Sequence, residues 1–403
     1  DFSIDAAAEN FATAYPDWGT WLGTCSVDNN KLSVIVSGEG EVAAAATTNF
    51  STVVGQRYVV SFDYGYDGGA SHLAFWIDDT NATGQANIYN SGDILSTDLA
   101  RSRSVSFTAT SSTTYLVFLA YGTAGSNVHG EFYNISVRPA EADRSVNNND
   151  LQIIGEIDKA PVAPGADLVA YSGFSANDYL VQPYNEDLNF GTGDFCVMGW
   201  VKLNDSYGTE VGSIVAIADP SIKFYFKVNH STGGFSLFLN DATKITSQYT
   251  ASSGSWAFTT VRRSNGKLSI SVNAQKNDTD VDYADSIDMS SSQETSIGYR
   301  LSNSDAELAA SLALLRISKT APTDAQIAKI YRDEKALFQD GAQATLYGTS
   351  DSVTALAYDE KTELLHVGTT SGRSDFSGLR RINNTTTAIT TSISAHNNLI
   401  AEQ

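Results

Sequence analysis

Short stretches of alternating apolar and polar residues, separated by turns rich in Gly and Asn, recur along most of this chain. In residues 1–139 they read KLSVIVSG, QRYVVSFDYGY, SHLAFWIDD, RSVSFTA, TYLVFLAYG and EFYNISVRP. A period of two residues places alternate side chains on opposite faces of a strand, and regularly spaced strands of this kind are typical of β-sandwiches. The sequence therefore predicts an all-β fold, with residues 1–139 forming a first sandwich.

A second β-rich block is predicted for residues 151–342. Its strands read DFCVMGWVKL, IKFYFKVN, FSLFLND, WAFTTVRR, KLSISVNA and LALLRISK. Between the two blocks, AEADRSVNNND is polar and has no periodicity, so residues 140–150 are predicted to be a linker. The 403 residues are enough for two or three domains with cores of their own.

One helix is predicted, at about residues 323–339, in TDAQIAKIYRDEKALFQDG. Thr323 can cap its N-terminus with Gln326 in the capping-box position, and Gly341 follows its end. An apolar stripe along this helix is expected to dock on the second sandwich. The stripe consists of Ile327, Ile330, Tyr331, Leu337 and Phe338.

Residues 343–403 form a third, β-rich segment with VTALAYD, ELLHVGTTSG and GLRRINNTTTAI as its strands. The segment is too short to enclose its apolar side chains in a sandwich of its own. We therefore predict an oligomerisation element, in which neighbouring copies cover these side chains. The alternative is a single propeller-like blade. The side chains concerned are Val353, Leu356, Leu364, Leu365, Val367, Leu379, Ile382 and Ile389.

The charge of the chain excludes some partners. A formal net charge of −21 argues against nucleic acid and anionic membranes, because binding to either depends on Lys and Arg. An acidic surface in which only 18% of residues are charged suits a neutral ligand. No apolar run is long enough for a transmembrane helix, so no membrane insertion is expected. The chain starts at Asp1 without a signal-peptide pattern, and is expected to be a fragment or a processed product.

The two cysteines, Cys25 and Cys196, fall in different predicted domains, so no disulfide framework is expected. His and Cys residues show no zinc-ligand spacing. The stretch GEIDKA places Glu156 and Asp158 two residues apart, as in the Glu-x-Asp-x-x-Glu strand of certain jelly-roll β-glucanases. Pro161 stands where the third carboxylate would be, and glycoside hydrolysis needs two flanking carboxyl groups. No catalytic residue is predicted.

The second block resembles the laminin-G-like, concanavalin A-like jelly-roll family. The resemblance is carried by residues 177–203, 255–275 and 296–335, including a final strand followed by a short helix. It implies a jelly roll that can hold a structural Ca²⁺ through loop Asp side chains and carbonyl oxygens. Candidate ligands are Asp178, Asp205 and Asp219, although no ligand spacing distinguishes them and no metal ligand is assigned.

Two further resemblances bear on function. YPDWGTW, VVGQRYVVSFDY and FYNISVRP in the first block resemble a carbohydrate-binding-module jelly roll. GADLVAYSGFSANDYLVQPYN, and the stretch from VTALAYD onward, resemble tail-fibre or spike proteins of marine bacteriophages. Together they imply a non-enzymatic protein of the virion surface, extracellular to the host, that recognises host-surface glycans, contacts other virion proteins and forms a homo-oligomer, with a trimer favoured.

Two alternatives to the virion protein remain open. The first is a secreted bacterial protein that binds or degrades polysaccharides, and the second is a purely structural decoration of a capsid or tail. An oligomeric state, an export signal, release of reducing sugar and glycan binding would separate the three.

Sugar recognition requires flat aromatic faces with polar groups nearby, and Trp76 is the best candidate in the sequence. In SHLAFWIDD the residues Leu73, Phe75 and Ile77 share one face and are expected in the core, which places Trp76 on the other face. The predicted carbohydrate-binding residues are Trp18, Trp21, Tyr64, Tyr66, His72 and Trp76. In contrast, Trp200 and Trp256 lie in strands with apolar neighbours and are expected in the core.

Overall fold

Strands account for nearly all of the regular structure, which confirms the predicted all-β fold class. The computed structural model describes residues 19–28, 31–36, 43–67, 70–80, 88–95, 102–122, 128–143, 145, 147, 149–204, 211–217, 222–289, 293–301, 307–349 and 352–403. Within these residues lie 32 strands, one α-helix and two short 3-10 helices.

The first sandwich is built from eleven strands. They are β1 (Gly19–Leu22), β2 (Thr24–Asp28), β3 (Lys31–Val36), β4 (Ala43–Ser51), β5 (Arg57–Asp67), β6 (Ala70–Asp78), β7 (Tyr89–Asn90), β8 (Ile94–Leu95), β9 (Ser102–Thr108), β10 (Thr113–Gly122) and β11 (Val128–Glu141). One sheet has the order β1-β4-β10-β6-β7, with β8 also paired to β6, and the other contains β2, β3, β11, β5 and β9.

The core between these two sheets is aromatic. Phe62 of β5 and Phe132 of β11 meet Phe75 of β6 and Phe118 of β10, with ring centroids 4.7–5.2 Å apart between Phe118 and its neighbours. All four rings are buried, because each lies on the inward face of its alternating strand. Burial of these large rings contributes to the stability of the first sandwich.

The second sandwich contains fifteen strands. They are β12 (Leu151–Ile154), β13 (Asp158–Pro161), β14 (Val169–Ser172), β15 (Tyr179–Gln182), β16 (Phe195–Leu203), β17 (Val211–Ile217), β18 (Phe224–Asn229), β19 (Gly234–Leu239), β20 (Ala242–Thr250), β21 (Trp256–Ser264), β22 (Lys267–Val272), β23 (Gln275–Lys276), β24 (Val281–Asp282), β25 (Thr295–Ile297) and β26 (Ala310–Ser318). One sheet has the order β12-β15-β25-β17-β18-β19-β20, and the other has the order β13-β14-β26-β16-β21-β22-β23 with β24 paired to β22.

The two sandwiches share a continuous sheet. The end of β11 pairs with β12, with Ala140 opposite Gln152 and Glu141 opposite Leu151. An ion pair between the half-buried Arg57 and the buried Asp150 crosses the junction, and the backbone N–H of Asp143 donates to the Asp150 carboxylate over 2.6 Å. β11 thus extends two residues into the predicted linker of residues 140–150, because its last residues find a partner strand in the second sandwich.

The helix α1 (Asp324–Lys335) confirms the predicted helix, and a 3-10 helix (Ala336–Phe338) continues it. The Thr323 hydroxyl accepts a hydrogen bond from the Gln326 N–H, and the Gln326 side chain accepts one from the Thr323 N–H, as the capping box requires. The apolar stripe docks on the outer face of the second sandwich, where Trp200 stacks on Tyr331 and Phe338. A further 3-10 helix spans Glu186–Leu188.

Trp200 is buried under this helix, and the Trp256 ring packs beside it while its Nε1–H donates to the Val162 carbonyl over 2.9 Å. The prediction that these two tryptophans serve packing is confirmed.

The C-terminal segment forms a four-stranded antiparallel sheet of β27 (Val353–Asp359), β28 (Leu364–Thr369), β29 (Gly372–Ser377) and β30 (Arg380–Asn384), in that order. A hairpin of β31 (Ile393–His396) and β32 (Leu399–Glu402) follows. Ile389 and Ile393 lie against Gly368 on one face of the sheet, at a distance where even a methyl group on that glycine would clash. The segment therefore encloses part of its apolar surface by itself.

Candidate carbohydrate-binding surface

The outer face of the β6–β10 strand pair carries the predicted residue Trp76. Leu73, Phe75 and Ile77 are fully buried in the core, so His72 and Trp76 face outward. This confirms the face predicted for Trp76, because the alternation along β6 is unbroken. β10 lies beside β6 in antiparallel register, with Tyr121 opposite His72 and Val117 opposite Trp76.

Aromatic side chains lie at both ends of this outer face. The rings of His72 and Tyr121 stack with centroids 4.4 Å apart and planes inclined by 16°. Trp76 packs beside Val117, four residues further along β6. Four residues of strand span about 13 Å, so the two aromatic positions are separated by roughly that distance. We call His72, Trp76, Val117 and Tyr121 the β6–β10 surface.

Small and buried side chains fill the space between these aromatic positions. Ala45 of β4, Ala74 of β6 and Leu119 of β10 form one buried cluster, and Trp76, Val117 and Tyr121 pack against it. These three residues are buried, whereas Trp76 and Tyr121 are half-buried. The arrangement is an apolar strip with an aromatic ring at each end, which suits the apolar C–H faces of an extended sugar chain.

Polar groups border the strip on the side of β7 and β8. An Asp93 carboxylate oxygen lies 3.5 Å from His72 Nε2, and Asn90 is paired with Trp76 across β6 and β7. Burial, and secondarily the negative charge of Asp93, raises the pKa of Tyr121. Tyr121 therefore keeps its hydroxyl proton at neutral pH and can donate a hydrogen bond, while Asp93 can accept one from a sugar hydroxyl.

The other predicted binding residues are either outside the described part of the chain or on the inward face of β5. Trp18 lies outside the described residues. Trp21 is in strand β1 and not in a loop, and its side chain is outside the described part of the chain. Tyr64 is 0% exposed in the core, because it shares the inward face of β5 with Phe62, so the prediction that it contacts a ligand is wrong.

Tyr66 also lies on the inward side of β5. Its ring packs edge-on against Tyr64, and its hydroxyl donates to the Ile94 carbonyl. Of the six predicted binding residues, the structure thus places His72 and Trp76 together on the outer face of β6 and places Tyr64 and Tyr66 on the inward face of β5.

Sequence reasoning did not select Tyr121 or Asp93. The alternation in TYLVFLAYG places Tyr121 on the face opposite to Phe118, but the residue it meets on β6 depends on the strand register. Asp93 follows a two-residue strand that carries no alternation signal. Both residues reach the site through pairing between segments distant in sequence.

The structure describes three of the acidic residues considered for catalysis or calcium binding: Glu156, Asp158 and Asp178. Glu156 precedes strand β13 and Asp158 begins it, and both are exposed. Asp178 accepts hydrogen bonds from the Glu156 N–H over 2.8 Å and from the Ser175 hydroxyl over 2.5 Å. Asp205 and Asp219 lie outside the described residues. Among the residues placed by the structure, no group of three or more His, Cys, Asp or Glu side chains is arranged to hold a metal ion.

Cys25 and Cys196 are free thiols in different sandwiches. Burial raises the pKa of both, and that of Cys196 to about 12, so neither is a ready nucleophile at neutral pH. No helix in the described part of the chain is long and apolar enough to cross a membrane.

Comparison with protein families concerns the second sandwich. Residues 174–328 match the Laminin_G_3 model of the concanavalin A-like lectin/glucanases superfamily. The match includes strands β15 to β26 and the first turn of α1. We call the second sandwich together with α1 the concanavalin A-like domain, after the model that it matches. Comparison with curated protein sequences found no related protein.

Solved structures with a similar arrangement of strands include bacterial binding domains. The botulinum neurotoxin serotype G binding domain is 10% identical with a TM-score of 0.40, covering 59% of this chain and 61% of that one. Domain 4 of AbnA, an extracellular arabinanase from Geobacillus stearothermophilus, in complex with arabinotriose, is 15% identical with a TM-score of 0.37 and covers 48% of this chain and 98% of that one. The chain spans 48% of the receptor binding domain of botulinum neurotoxin mosaic serotype C/D. Similarities this weak carry no argument about function.

Proposed function

We propose that this chain is a non-enzymatic, lectin-like protein that binds host-surface glycans through the β6–β10 surface. The observation that carries the proposal is the stacked His72–Tyr121 pair and the outward-facing Trp76 at the two ends of an apolar strip. Aromatic faces bury the C–H surface of a sugar ring, and the bordering Asp93 and Asn90 supply hydrogen-bonding groups for its hydroxyls. A neutral glycan fits this surface best, since Asp93 is the charged group described at its border.

The finer assignment is a distal piece of a virion fibre or spike, located on the virion surface and extracellular to the host. It is supported by the sequence resemblance of residues 165–185 and of the C-terminal segment to bacteriophage tail proteins. A homo-oligomer, with a trimer favoured, and contacts with other virion proteins belong to the same proposal. A structural Ca²⁺ in the concanavalin A-like domain belongs to it as well, with no ligand assigned.

Glycan binding is tested by truncating Trp76. The variant Trp76→Ala removes one aromatic platform, and we expect it to weaken glycan binding by about 1–3 kcal/mol in calorimetric titrations with glycans identified on an array. Tyr133→Ala is the matched control, because Tyr133 is a half-buried aromatic residue on the outer face of the opposite sheet of the same sandwich. The control should bind as the unmodified chain does.

Three outcomes would contradict the proposal. Equal binding by Trp76→Ala, with an unchanged melting temperature, would remove the β6–β10 surface from glycan recognition. Absence of any glycan ligand on an array would favour a structural decoration protein. Release of reducing sugar by the purified chain would instead favour the secreted polysaccharide-degrading protein, the second candidate.

A further inference from the structure

Two cations share one aromatic ring on the outer face of the concanavalin A-like domain. The Lys227 ammonium lies 5.3 Å from the centroid of the Tyr225 ring and 5.3 Å from that of Phe238. The Arg300 guanidinium lies 4.9 Å from the same Tyr225 centroid. Tyr225 is buried beneath them. Each of these cation–π contacts is favourable, and together they keep the Lys227 and Arg300 charges close to each other despite their repulsion.

Strand register explains why these side chains meet. Tyr225 and Lys227 alternate with the core residues Phe224 and Phe226 on β18, so they face outward, and Phe238 on β19 is paired with Tyr225. Arg300 comes from the turn that follows β25. We call Tyr225, Lys227, Phe238 and Arg300 the β18–β19 cationic cluster.

Neither cation of this cluster has a carboxylate partner in the part of the chain that the structure describes. Other cations of the same domain do: Arg262 pairs with Asp324, Lys267 with Asp282 and Lys276 with Asp280. Acidic residues outnumber basic ones by 46 to 25, so an unpaired pair of cations is unusual for this composition. Burial lowers the pKa of Lys227, and the charge of Arg300 lowers it further, so the two cations repel each other.

Unsatisfied hydrogen-bonding groups lie at the same place. The Arg300 Nε–H is buried and has no acceptor. Ser213, which is paired with Lys227 across β17 and β18, is buried, and its hydroxyl has no partner either. A buried donor without an acceptor costs free energy, and a bound anion would supply the missing acceptor.

We propose that the β18–β19 cationic cluster binds an acidic group, a carboxylate or a sulfate, carried by an oligosaccharide. An anion placed between Lys227 and Arg300 would offset their mutual repulsion. The saccharide part is supported by two neighbouring hydroxyls on the same face, since Ser236 is paired with Lys227, and Ser236 Oγ lies 3.0 Å from Thr246 Oγ1. The half-buried Phe238 ring adds an apolar contact.

A nucleic acid does not fit this cluster. Two cations cannot offset the repulsion between a continuous polyphosphate and a chain of net charge −21, whereas isolated acidic groups on a sugar chain interact locally within a Debye length of about 8 Å. The site is separate from the β6–β10 surface, which lies in the first sandwich and suits a neutral glycan.

The test uses the full chain and three probes of matched length: an oligogalacturonate, a sulfated galactan oligosaccharide and a neutral dextran oligosaccharide. Calorimetric titrations compare the unmodified chain with Lys227→Gln and Arg300→Gln. We expect at least one acidic probe to bind, more weakly as salt is raised, and each variant to lose about tenfold or more in affinity, the scale of one charge-assisted hydrogen bond. The neutral probe should show no dependence on these residues.

Lys244→Gln is the matched control, because Lys244 is also placed over an aromatic ring, that of Tyr283, but outside the cluster. It should bind the acidic probe as the unmodified chain does. Trp76→Ala should also leave acidic binding unchanged, which separates this site from the proposed neutral-glycan surface. The Arg300 Nε–H nuclear magnetic resonance signal of the unmodified chain should shift on titration, a measurement that does not depend on any variant folding.

The proposal is overturned by binding of the acidic probe that is equal in Lys227→Gln, Arg300→Gln and the unmodified chain, or by an Arg300 signal that does not move. It is also overturned if neither acidic probe binds. If inorganic sulfate binds as tightly as the sulfated oligosaccharide, the sugar contributes nothing to binding, and the cluster is a simple anion site.

Discussion

Asp359 shows how one side chain holds two hairpins of the C-terminal segment together. One carboxylate oxygen accepts a hydrogen bond from the Asn398 N–H over 2.6 Å, and the other accepts one from the Lys361 N–H over 3.0 Å. The bond from Asn398 contributes most to lowering the pKa of Asp359, to about 2, with the bond from Lys361 adding to it. The ionised form is thus the one that the fold stabilises.

This pKa predicts an acid transition in the C-terminal segment. Because the pKa is lower in the folded state than in the unfolded chain, the stabilisation is complete above the ordinary Asp pKa, near 3.9, and is lost as the pH falls toward about 2. Hydrogen exchange of the Asn398 amide should accelerate across that window relative to neighbouring amides.

Asp359→Asn should remove this pH dependence and leave the segment less protected at neutral pH. Asp333→Asn is a control, since Asp333 pairs with Lys329 on the surface of α1. A protection profile of the Asp359 variant with the same pH dependence as the unmodified chain would contradict the assignment.

At the scale of a single element, the helix α1 is fixed to the sandwich by a polar contact inside its apolar interface. Glu334 is 1% exposed, accepts a hydrogen bond from Trp200 Nε1 over 2.7 Å and pairs with Arg316. A buried indole N–H without an acceptor is costly. Glu334 therefore sets the rotation of the helix, while the stripe around Ile327 and Tyr331 supplies the apolar contact area.

Glu334→Ala is expected to destabilise the concanavalin A-like domain by about 1–3 kcal/mol, because the Trp200 N–H loses its only acceptor in a buried place. Urea unfolding monitored by Trp fluorescence measures this change. Lys329→Ala, which breaks an exposed pair with Asp333 on the same helix, should cost less than about 0.5 kcal/mol. Equal costs for the two variants would show that the Trp200 contact contributes little.

At the scale of the whole molecule, one face of the C-terminal sheet exposes apolar side chains to solvent. Leu356 is 61% exposed and Tyr358 is 54% exposed, and Leu365, paired with Tyr358, is also exposed. Others of the predicted apolar set, Val367 and Ile389, are buried within the segment, contrary to the expectation that it could not enclose them. The remaining apolar face is the one that a neighbouring copy would cover.

Leu356→Asp should convert a homo-oligomer into a monomer, as measured by multi-angle light scattering, because it places a charge in the proposed interface. Leu399→Asp is the matched control, since Leu399 is 76% exposed on the separate β31–β32 hairpin. A trimeric mass for the unmodified chain supports the fibre assignment. A monomeric mass would instead favour the propeller-like blade, whose four consecutive antiparallel strands match the order β27-β28-β29-β30.

The sequence alone determined the features that depend on neighbours along the chain. The alternation around Trp76 predicted which of its neighbours are buried, and Thr323 with Gln326 predicted the start of α1. Both features depend on residues only a few positions apart in the sequence. The sequence predicted that Tyr64 contacts a ligand, but the structure buries it in the core. A Tyr near the end of a strand, beside a Gly-rich turn, has the same local sequence pattern whether or not the opposite sheet covers it.

The tertiary structure alone decided which residues meet. Tyr121 lies on His72, and Arg300 lies over the Tyr225 ring, through contacts between segments dozens of residues apart in sequence. Alternation specifies the face of each strand but not its partner or its register, which are set by the packing of both sheets together. Strand pairing therefore decides which side chains come together in each proposed binding site. The sequence decides which aromatic and charged side chains each strand carries on its outer face.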